Sequence, residues 1–158
     1  MVNAGFFGGA GSAKAALAAL VLLLVAGCHS LPKDPDSTLA TIEAKRVVRV
    51  GVERPLPPEG ADLLLQLEQA TGAKARFSEG GIEPLLAKLD AGEIDLVVAP
   101  FGEQTPWAAK AALSPPLRVE DSGRKTIEWR AAMRSGENRW IMLVESRARR
   151  VSSAPDAS

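Results

Sequence analysis

Apolar residues along this chain fall into short runs of the length of a β-strand. Val47 to Val52 reads VVRVGV and Ile94 to Phe101 reads IDLVVAPF, and turn residues or charges bound both runs. Their length and their β-branched residues predict strands, the second of them buried on both faces. Ala73 to Ser78 is predicted as a further strand.

The segments between these runs have helical spacing. A helix is predicted from Asp62 to Thr71, where apolar residues recur every three or four positions and Gly72 follows as the stop. A second helix is predicted to begin at Glu83-Pro84, and a short one ahead of the first strand is predicted to end at Lys45. Strands that alternate with such helices predict βαβ units. The expected fold is therefore α/β, with a small, doubly wound, mainly parallel sheet flanked by helices.

The C-terminal part of the chain has a different pattern. Thr126 to Arg134 (TIEWRAAMR) alternates apolar and polar residues, a turn follows, and Arg139 to Glu145 (RWIMLVE) is largely apolar. We interpret these two runs as the strands of a β-hairpin that covers an edge or apolar face of the sheet. The charges from Arg147 onward are interpreted as the solvated start of a disordered tail over residues 148–158, and not as a membrane-binding patch.

A longer apolar run lies near the N-terminus. Ala15 to Val25 (AALAALVLLLV) follows Lys14 and is too short for a comfortable membrane span. Small residues and Cys28, the only cysteine, come directly after it, an order typical of a secretory signal. The ending Val-Ala-Gly-Cys resembles the lipobox of bacterial lipoproteins, in which the cysteine becomes the first mature residue and carries the lipid. An uncleaved anchor helix is the alternative, and both place the rest of the chain outside the cytoplasm at a membrane.

The predicted organisation is a signal peptide over residues 1–27, a tether over 28–37, one domain over 38–147, and the tail. The 158-residue chain has a formal net charge of +0, which gives no electrostatic argument for a nucleic-acid partner. The lone His29 has no companions at metal-ligand spacing, so neither a metal nor another cofactor is expected.

Candidate catalytic groups are sparse. No Ser–His pairing, cysteine nucleophile or phosphate loop follows Cys28 in a recognisable pattern, so no enzyme is predicted. Asp90, Glu93 and Asp95 lie close together and would suit a pair of catalytic carboxylates. A solvated helix end, followed by an aspartate that begins a strand, explains the same residues and is the interpretation that we prefer.

The order of the predicted helices and strands from about Thr38 to Leu117 indicates a family. Its best motif is the run Leu89 to Ala99 (LDAGEIDLVVA), where a glycine ends a helix and Asp95 begins a central strand. Order and motif resemble the bacterial extracellular solute-binding proteins of family 3, which hand amino acids and similar solutes to ABC importers. Few residues remain after Leu117, so the resemblance implies only one lobe of a two-lobed fold. An unrelated α/β domain with the same alternation of strands and helices is the alternative.

The ligand site that this resemblance implies is incomplete. The family's loop after the third strand usually has a threonine, followed three residues later by an arginine that clamps the ligand carboxylate. Thr105 is present, but Ala108 stands in place of the arginine. Gln104, Thr105 and Trp107 share a loop after a central strand, where a parallel sheet presents its ligand crevice, and they are the candidate ligand-binding residues. Packing of Trp107 against the predicted C-terminal hairpin is the alternative.

These observations predict a lipoprotein anchored to the cell envelope and facing the periplasm or the exterior. It would bind a small polar, amino-acid-like solute weakly, or serve an ABC importer as an accessory. The alternative is a protein-interaction or regulatory module of the envelope, like the similar domains attached to lytic transglycosylases. The expected partners are the membrane, through the lipid on Cys28, and either a solute or another envelope protein.

Overall fold

The computed structural model describes residues 34–102 and 105–153, which belong to one compact unit, Lys33–Ser158. The predicted signal peptide, Cys28 and Gln104 lie outside these residues. The helices are α1 Thr38–Lys45, α2 Pro58–Thr71, α3 Ile82–Asp90 and α4 Asn138–Ser152. The strands are β1 Val47–Val52, β2 Lys74–Glu79, β3 Leu96–Gly102, β4 Ala111–Leu113, β5 Arg118–Asp121 and β6 Thr126–Arg134, and a 3₁₀ turn spans Pro106–Ala109.

All six strands belong to one mixed sheet with the order β2-β1-β3-β6-β4, and β5 also pairs with β6. Strand β1 runs parallel to both β2 and β3. Strand β6 is antiparallel to β3, β4 and β5. Five strands therefore run in one direction and β6 runs against them, which confirms the predicted α/β class with a mainly parallel sheet.

Helices cover both faces of the sheet. Successive strand residues point to opposite sides, so each face contributes side chains to a core of its own. On one face the buried side chains of Val48, Val50 and Val52 contribute to a core that also includes residues of α1, α2 and α4. On the other face Val97 and Phe101 contribute to a second core with the leucines of α3. The fold is thus doubly wound.

Gly51 shows how closely α3 and its following loop approach the sheet. A Cβ atom at this position would lie 2.8 Å from Cδ1 of Ile94 and 2.9 Å from Cδ2 of Leu85. A side chain here would force those of Ile94 and Leu85 to move, so the observed packing depends on the glycine near the end of β1. Glycine here weakens the strand's intrinsic preference but permits tighter packing.

Asp95 is a buried charge that joins four parts of the fold. Its Oδ2 accepts hydrogen bonds from the backbone N–H and the Nε–H of Arg49, at 2.9 and 3.0 Å. Arg49 also donates to the carbonyl of Gly92, at 2.8 Å, and Nε1 of Trp140 donates to the carbonyl of Asp95, at 2.9 Å. Asp95 is therefore a structural ion-pair partner, in agreement with the non-catalytic interpretation of the carboxylate cluster.

The predicted C-terminal hairpin is wrong in its second strand. Strand β6 has the predicted bounds, but Arg139–Glu145 lies inside helix α4, and the hairpin partner of β6 is β5. The physical reason is a helical spacing that extends beyond the seven residues of that run. The buried residues of α4 recur three or four positions apart and are Trp140, Val144, Ala148 and Val151. The disordered tail was predicted to begin at residue 148. Helix α4 continues to Ser152, so this prediction is wrong for residues 148–152.

Glu137 ties the start of the described chain to helix α4. Its buried carboxylate accepts the backbone N–H groups of Asp36 and Thr38, both at 2.8 Å. In return, the carboxylate of Asp34 accepts the backbone N–H of Arg139, at 2.8 Å. The N-termini of α1 and α4 thus cap each other, which satisfies N–H groups that neither helix can satisfy internally.

Glu137→Gln is expected to lower the free energy of unfolding by about 1–3 kcal/mol, because the amide offers only one acceptor oxygen to two N–H groups. Burial raises the pKa of Glu137, but the hydrogen bonds from the N–H groups of Asp36 and Thr38 outweigh burial, and the pKa lies below the ordinary value of 4.5. A lowered folded-state pKa stabilises the fold above the unfolded-state pKa, and this stabilisation is lost as pH falls through the folded-state pKa.

The wild-type protein should therefore lose stability on acidification below pH 4.5, and Glu137→Gln should lose less over the same range. Urea unfolding between neutral pH and pH 3 measures both slopes. Glu43→Gln, at an exposed position of α1, is the matched control and should follow the wild type. Identical acid slopes for the wild type and Glu137→Gln would contradict the role of this carboxylate.

Candidate functional site

The carboxyl ends of β1, β2 and β3 meet at one edge of the sheet. We call this the strand-end edge and define it by Glu53, Arg54, Glu79 and Gly102. After β1 the chain crosses to β2 through α2 on one face, and after β2 it crosses to β3 through α3 on the other face. The two crossovers diverge between β1 and β3. In open α/β sheets this divergence is where ligands bind.

Strand β3 extends past the end of β1 at this position. Val52 is the last residue of β1 that pairs with β3, opposite Val98, and the N–H of Glu53 donates to the carbonyl of Val98 at 3.2 Å. Strand β3 continues to Gly102, which pairs with Ile127 of β6 on its other side. The pairing between β1 and β3 therefore ends at a step, and Glu53 lies at its base.

The charged residues of the strand-end edge differ in whether they form an ion pair. Nε of Arg54 lies 3.1 Å from Oε1 of Glu79, and its guanidinium lies over the ring of Phe77, 6.0 Å from the centroid. The positive charge of Arg54 is thus engaged by a neighbouring carboxylate. Glu53 forms no ion pair with any other residue of 34–102 or 105–153. Of the two glutamates that define this edge, the half-buried Glu53 is thus the one without an ion pair among the described residues.

Thr105 has a local structural role. Its Oγ1 accepts the N–H of Trp107 at 3.4 Å and caps the 3₁₀ turn Pro106–Ala109. Gln104 lies outside the described residues, so its predicted role in ligand binding stays a prediction. Ala108 is exposed on the same turn and brings no cation to it.

Trp107 lies in a groove beside α3. The groove has a volume of about 240 Å³, and its apolar lining includes Leu86, Leu89 and Ala111. The half-buried ring packs against the second core, and Nζ of Lys110 lies 5.5 Å from its centroid. The groove extends to the end of the sheet where β4 begins opposite Arg134. This is the end opposite the carboxyl ends of β1 and β3, which form the strand-end edge. Trp107 therefore contacts α3 and the second core, and its predicted role in ligand binding stays a prediction.

Glu53 is a candidate site residue that the sequence analysis missed. Its sequence signal is its position directly after a predicted strand, at the end of a parallel sheet where ligands bind.

Two further findings concern metal sites and membrane-spanning helices in the described part of the chain. Within residues 34–102 and 105–153, no three His, Cys, Asp or Glu side chains are grouped to hold a metal ion. No helix in this part of the chain is long and apolar enough to cross a membrane.

Comparison with known proteins supports the fold through structure alone. No protein-family model matches the chain, and no curated protein matches it. The arginine-bound form of domain 1 from TmArgBP, a T. maritima protein, superposes with a TM-score of 0.59 at 16% identity, covering 70% of this chain and 97% of that chain. The ancestral cationic amino acid solute binding protein AncCDT-1 gives 0.60 at 13% identity, with 72% and 93% covered.

A third similar structure is AbpA from Streptococcus pneumoniae, an amino acid ABC transporter substrate-binding protein bound to L-arginine. Its TM-score is 0.59 at 9% identity, covering 71% of this chain and 91% of that chain. At such identities the likeness concerns the fold. The chain therefore has the architecture of a single lobe of a periplasmic-binding-protein fold, as the sequence resemblance predicted.

Trp107→Ala is expected to lower the free energy of unfolding by about 1–3 kcal/mol in the absence of any ligand, because a half-buried ring leaves the second core. Urea unfolding measures the loss. Leu65→Ala is a suitable control, since Leu65 is 53% exposed on α2 and its truncation should change stability by less than about 0.5 kcal/mol. Equal stability of Trp107→Ala and the wild type would exclude a packing role for the ring.

Proposed function

We propose that this chain is a membrane-tethered, single-lobe solute-binding protein that binds a small cationic, amino-acid-like solute weakly at the strand-end edge. The observation that carries the proposal is the position of Glu53, which directly follows β1 where the two crossovers diverge and forms no ion pair in the described part of the chain. The proposed role is binding and not catalysis.

The chemistry of the edge favours a cation. An ammonium or guanidinium group of a ligand would supply the counter-charge that Glu53 lacks, and a hydrogen bond of this charged kind contributes about 1.5–3 kcal/mol. The similar structures support the same ligand class, because TmArgBP domain 1 and AbpA are both described with arginine bound. The first of these is itself a single domain, so one lobe is enough for an arginine-bound form of that protein.

Binding is proposed to be weak for two reasons. Ligand sites usually bury about 70–90% of a small molecule, whereas one lobe covers a ligand from one side. In addition, Ala108 supplies no arginine to hold a ligand carboxylate. We therefore expect recognition to depend on the cationic end of the solute more than on its carboxylate.

The tether is the second half of the proposal. Acylation of Cys28 would hold the lobe outside the cytoplasm, because each buried CH₂ of an acyl chain contributes about 0.8 kcal/mol and two or more chains give stable anchoring. Such a lobe would present its solute to an ABC importer at the same membrane, or work as an accessory to one.

Thermal unfolding tests the solute. L-arginine or L-lysine at 100 times its dissociation constant should stabilise the fold by about 2.7 kcal/mol, and L-glutamate should not stabilise it. Glu53→Gln should abolish the shift, because the neutral amide cannot pair with a cation. Glu43→Gln removes a carboxylate from the exposed side of α1 and should keep the shift. A shift caused by glutamate, or one that survives in Glu53→Gln, would contradict the proposed site.

Mass spectrometry of the full chain expressed in a bacterial envelope tests the tether. We expect a mature N-terminus at Cys28 carrying acyl chains, and a membrane-associated protein. Cys28→Ser should prevent acylation and release the chain from the membrane fraction or leave it unprocessed. Recovery of an unacylated chain that retains residues 1–27 in the membrane fraction would favour the uncleaved anchor helix.

An envelope interaction module is the second candidate function. The observation in its favour is a pair of exposed apolar side chains that line one surface depression, Leu65 on α2 at 53% exposure and Phe77 on the outer strand β2 at 47%. The two functions differ in their ligand response. Absence of stabilisation by every cationic solute, together with an envelope complex that Phe77→Ala disrupts, would replace solute binding by protein interaction.

A further inference from the structure

Positive charge is concentrated on helix α4, although the chain as a whole has a formal net charge of +0. The sequence of α4 contains one acidic residue, Glu145. Its basic residues are Arg139, Arg147, Arg149 and Arg150. The helix is therefore a basic element on a neutral protein.

Most of this charge lies on the side of α4 that faces away from the core. Arg139, Arg149 and Arg150 are exposed, and Met142 on the same side is 69% exposed. Glu145 neutralises Arg149 in part, at 3.4 Å. Arg139 and Arg150 form no ion pair among the residues that the structure describes. The outer face of α4, defined by Arg139, Met142, Arg149 and Arg150, is thus a basic surface with an apolar side chain within it.

The proposed anchor begins close to this face. Asp34 binds the N–H of Arg139 at the first turn of α4, and Glu137 holds the next residues of the tether. Cys28 precedes Asp34 by six positions, which an extended chain spans in about 20 Å. An acylated Cys28 would therefore keep the first turn of α4 within about 20 Å of the lipid surface, a distance similar to the length of the helix itself.

We infer that the outer face of α4 lies on an anionic membrane surface, with its arginines among lipid phosphates and Met142 at the interface. This departs from the interpretation of the sequence, which placed Arg149 and Arg150 in a solvated tail, because both belong to a helix. The inference rests on the membrane tether of the proposed function, but it assigns a binding surface that acylation alone does not require. Arginine suits this surface, because its planar guanidinium donates to phosphate oxygens in pairs. The attraction extends over about a Debye length and weakens as salt is added.

This contact would orient the lobe. Helix α4 covers one face of the sheet, and α3 with the groove of Trp107 covers the other. With α4 on the lipid, the groove faces away from the membrane. The strand-end edge then opens sideways, so a solute reaches Glu53 along the membrane surface.

Vesicle sedimentation tests the surface with a chain that begins at His29. This chain contains the whole compact unit Lys33–Ser158 and lacks Cys28, so acylation plays no part. We expect binding to vesicles of equal phosphatidylglycerol and phosphatidylcholine, weakening as salt is raised, and little binding to phosphatidylcholine alone. Replacing the three exposed arginines of α4 by glutamine should weaken binding on the order of 100-fold.

The matched control removes the same charge elsewhere. Lys88→Gln, Arg124→Gln and Lys125→Gln together change three exposed basic residues outside α4. This variant should keep most of the binding, because the charges that it loses do not face the lipid. Circular dichroism checks that both triple variants are folded.

A fluorescent label tests the orientation directly, because the chain from His29 has no cysteine of its own. An environment-sensitive dye on Met142→Cys should shift to the blue on binding anionic vesicles. The same dye on Lys88→Cys, at an exposed position of α3, should not shift.

Equal binding to neutral vesicles, equal loss in the two triple variants, or equal dye shifts at the two positions would overturn the inference. These results are separate from the test of the tether. An unacylated Cys28 combined with binding to anionic vesicles would contradict the proposed anchor and support the α4 surface. An acylated Cys28 without vesicle binding would support the anchor and contradict the α4 surface.

Discussion

The structure depends on the buried carboxylate of Asp95. A charge removed from water must be paired and hydrogen-bonded, or the fold is strongly destabilised. Arg49 meets this requirement from β1, and the same guanidinium binds the carbonyl that follows α3. Trp140 adds α4 through the carbonyl of Asp95. These contacts fix how β1, β3 and both helical layers meet, and so determine where the ends of the strands lie.

Glu137 provides a second fixed point, at the end of the sheet where β6 stops. It holds the residues just before and at the start of α1 against the first turn of α4, beside the basic face of that helix. The two carboxylates therefore have different consequences for function. Asp95 determines the position of the strand-end edge, where we propose that a solute binds. Glu137 would determine how that edge is presented if the protein is tethered as we propose.

Elements with a long pattern and clear boundaries were predicted well. Strand β1 has the predicted bounds, and α2 ends at the predicted Thr71 but starts earlier, because Pro58 suits the first turn of a helix. The run RWIMLVE was misinterpreted because seven residues, most of them apolar, satisfy both a strand and a helix. The apolar spacing that continues to Val151 distinguishes the two, and part of it lies beyond that run.

The amino-acid sequence by itself determined the class of fold, because hydrophobic period and the positions of glycine and proline are local properties that select helix, strand and turn. Only the tertiary structure decided the roles of particular side chains. Asp95 and Glu53 are both acidic residues beside parallel strands, yet Asp95 is buried in an ion pair, whereas Glu53 is half-buried and forms none with the residues that the structure describes. The partners that make this difference are far apart in sequence, as Arg49 and Asp95 are, and no local pattern specifies which distant residue will arrive beside which charge.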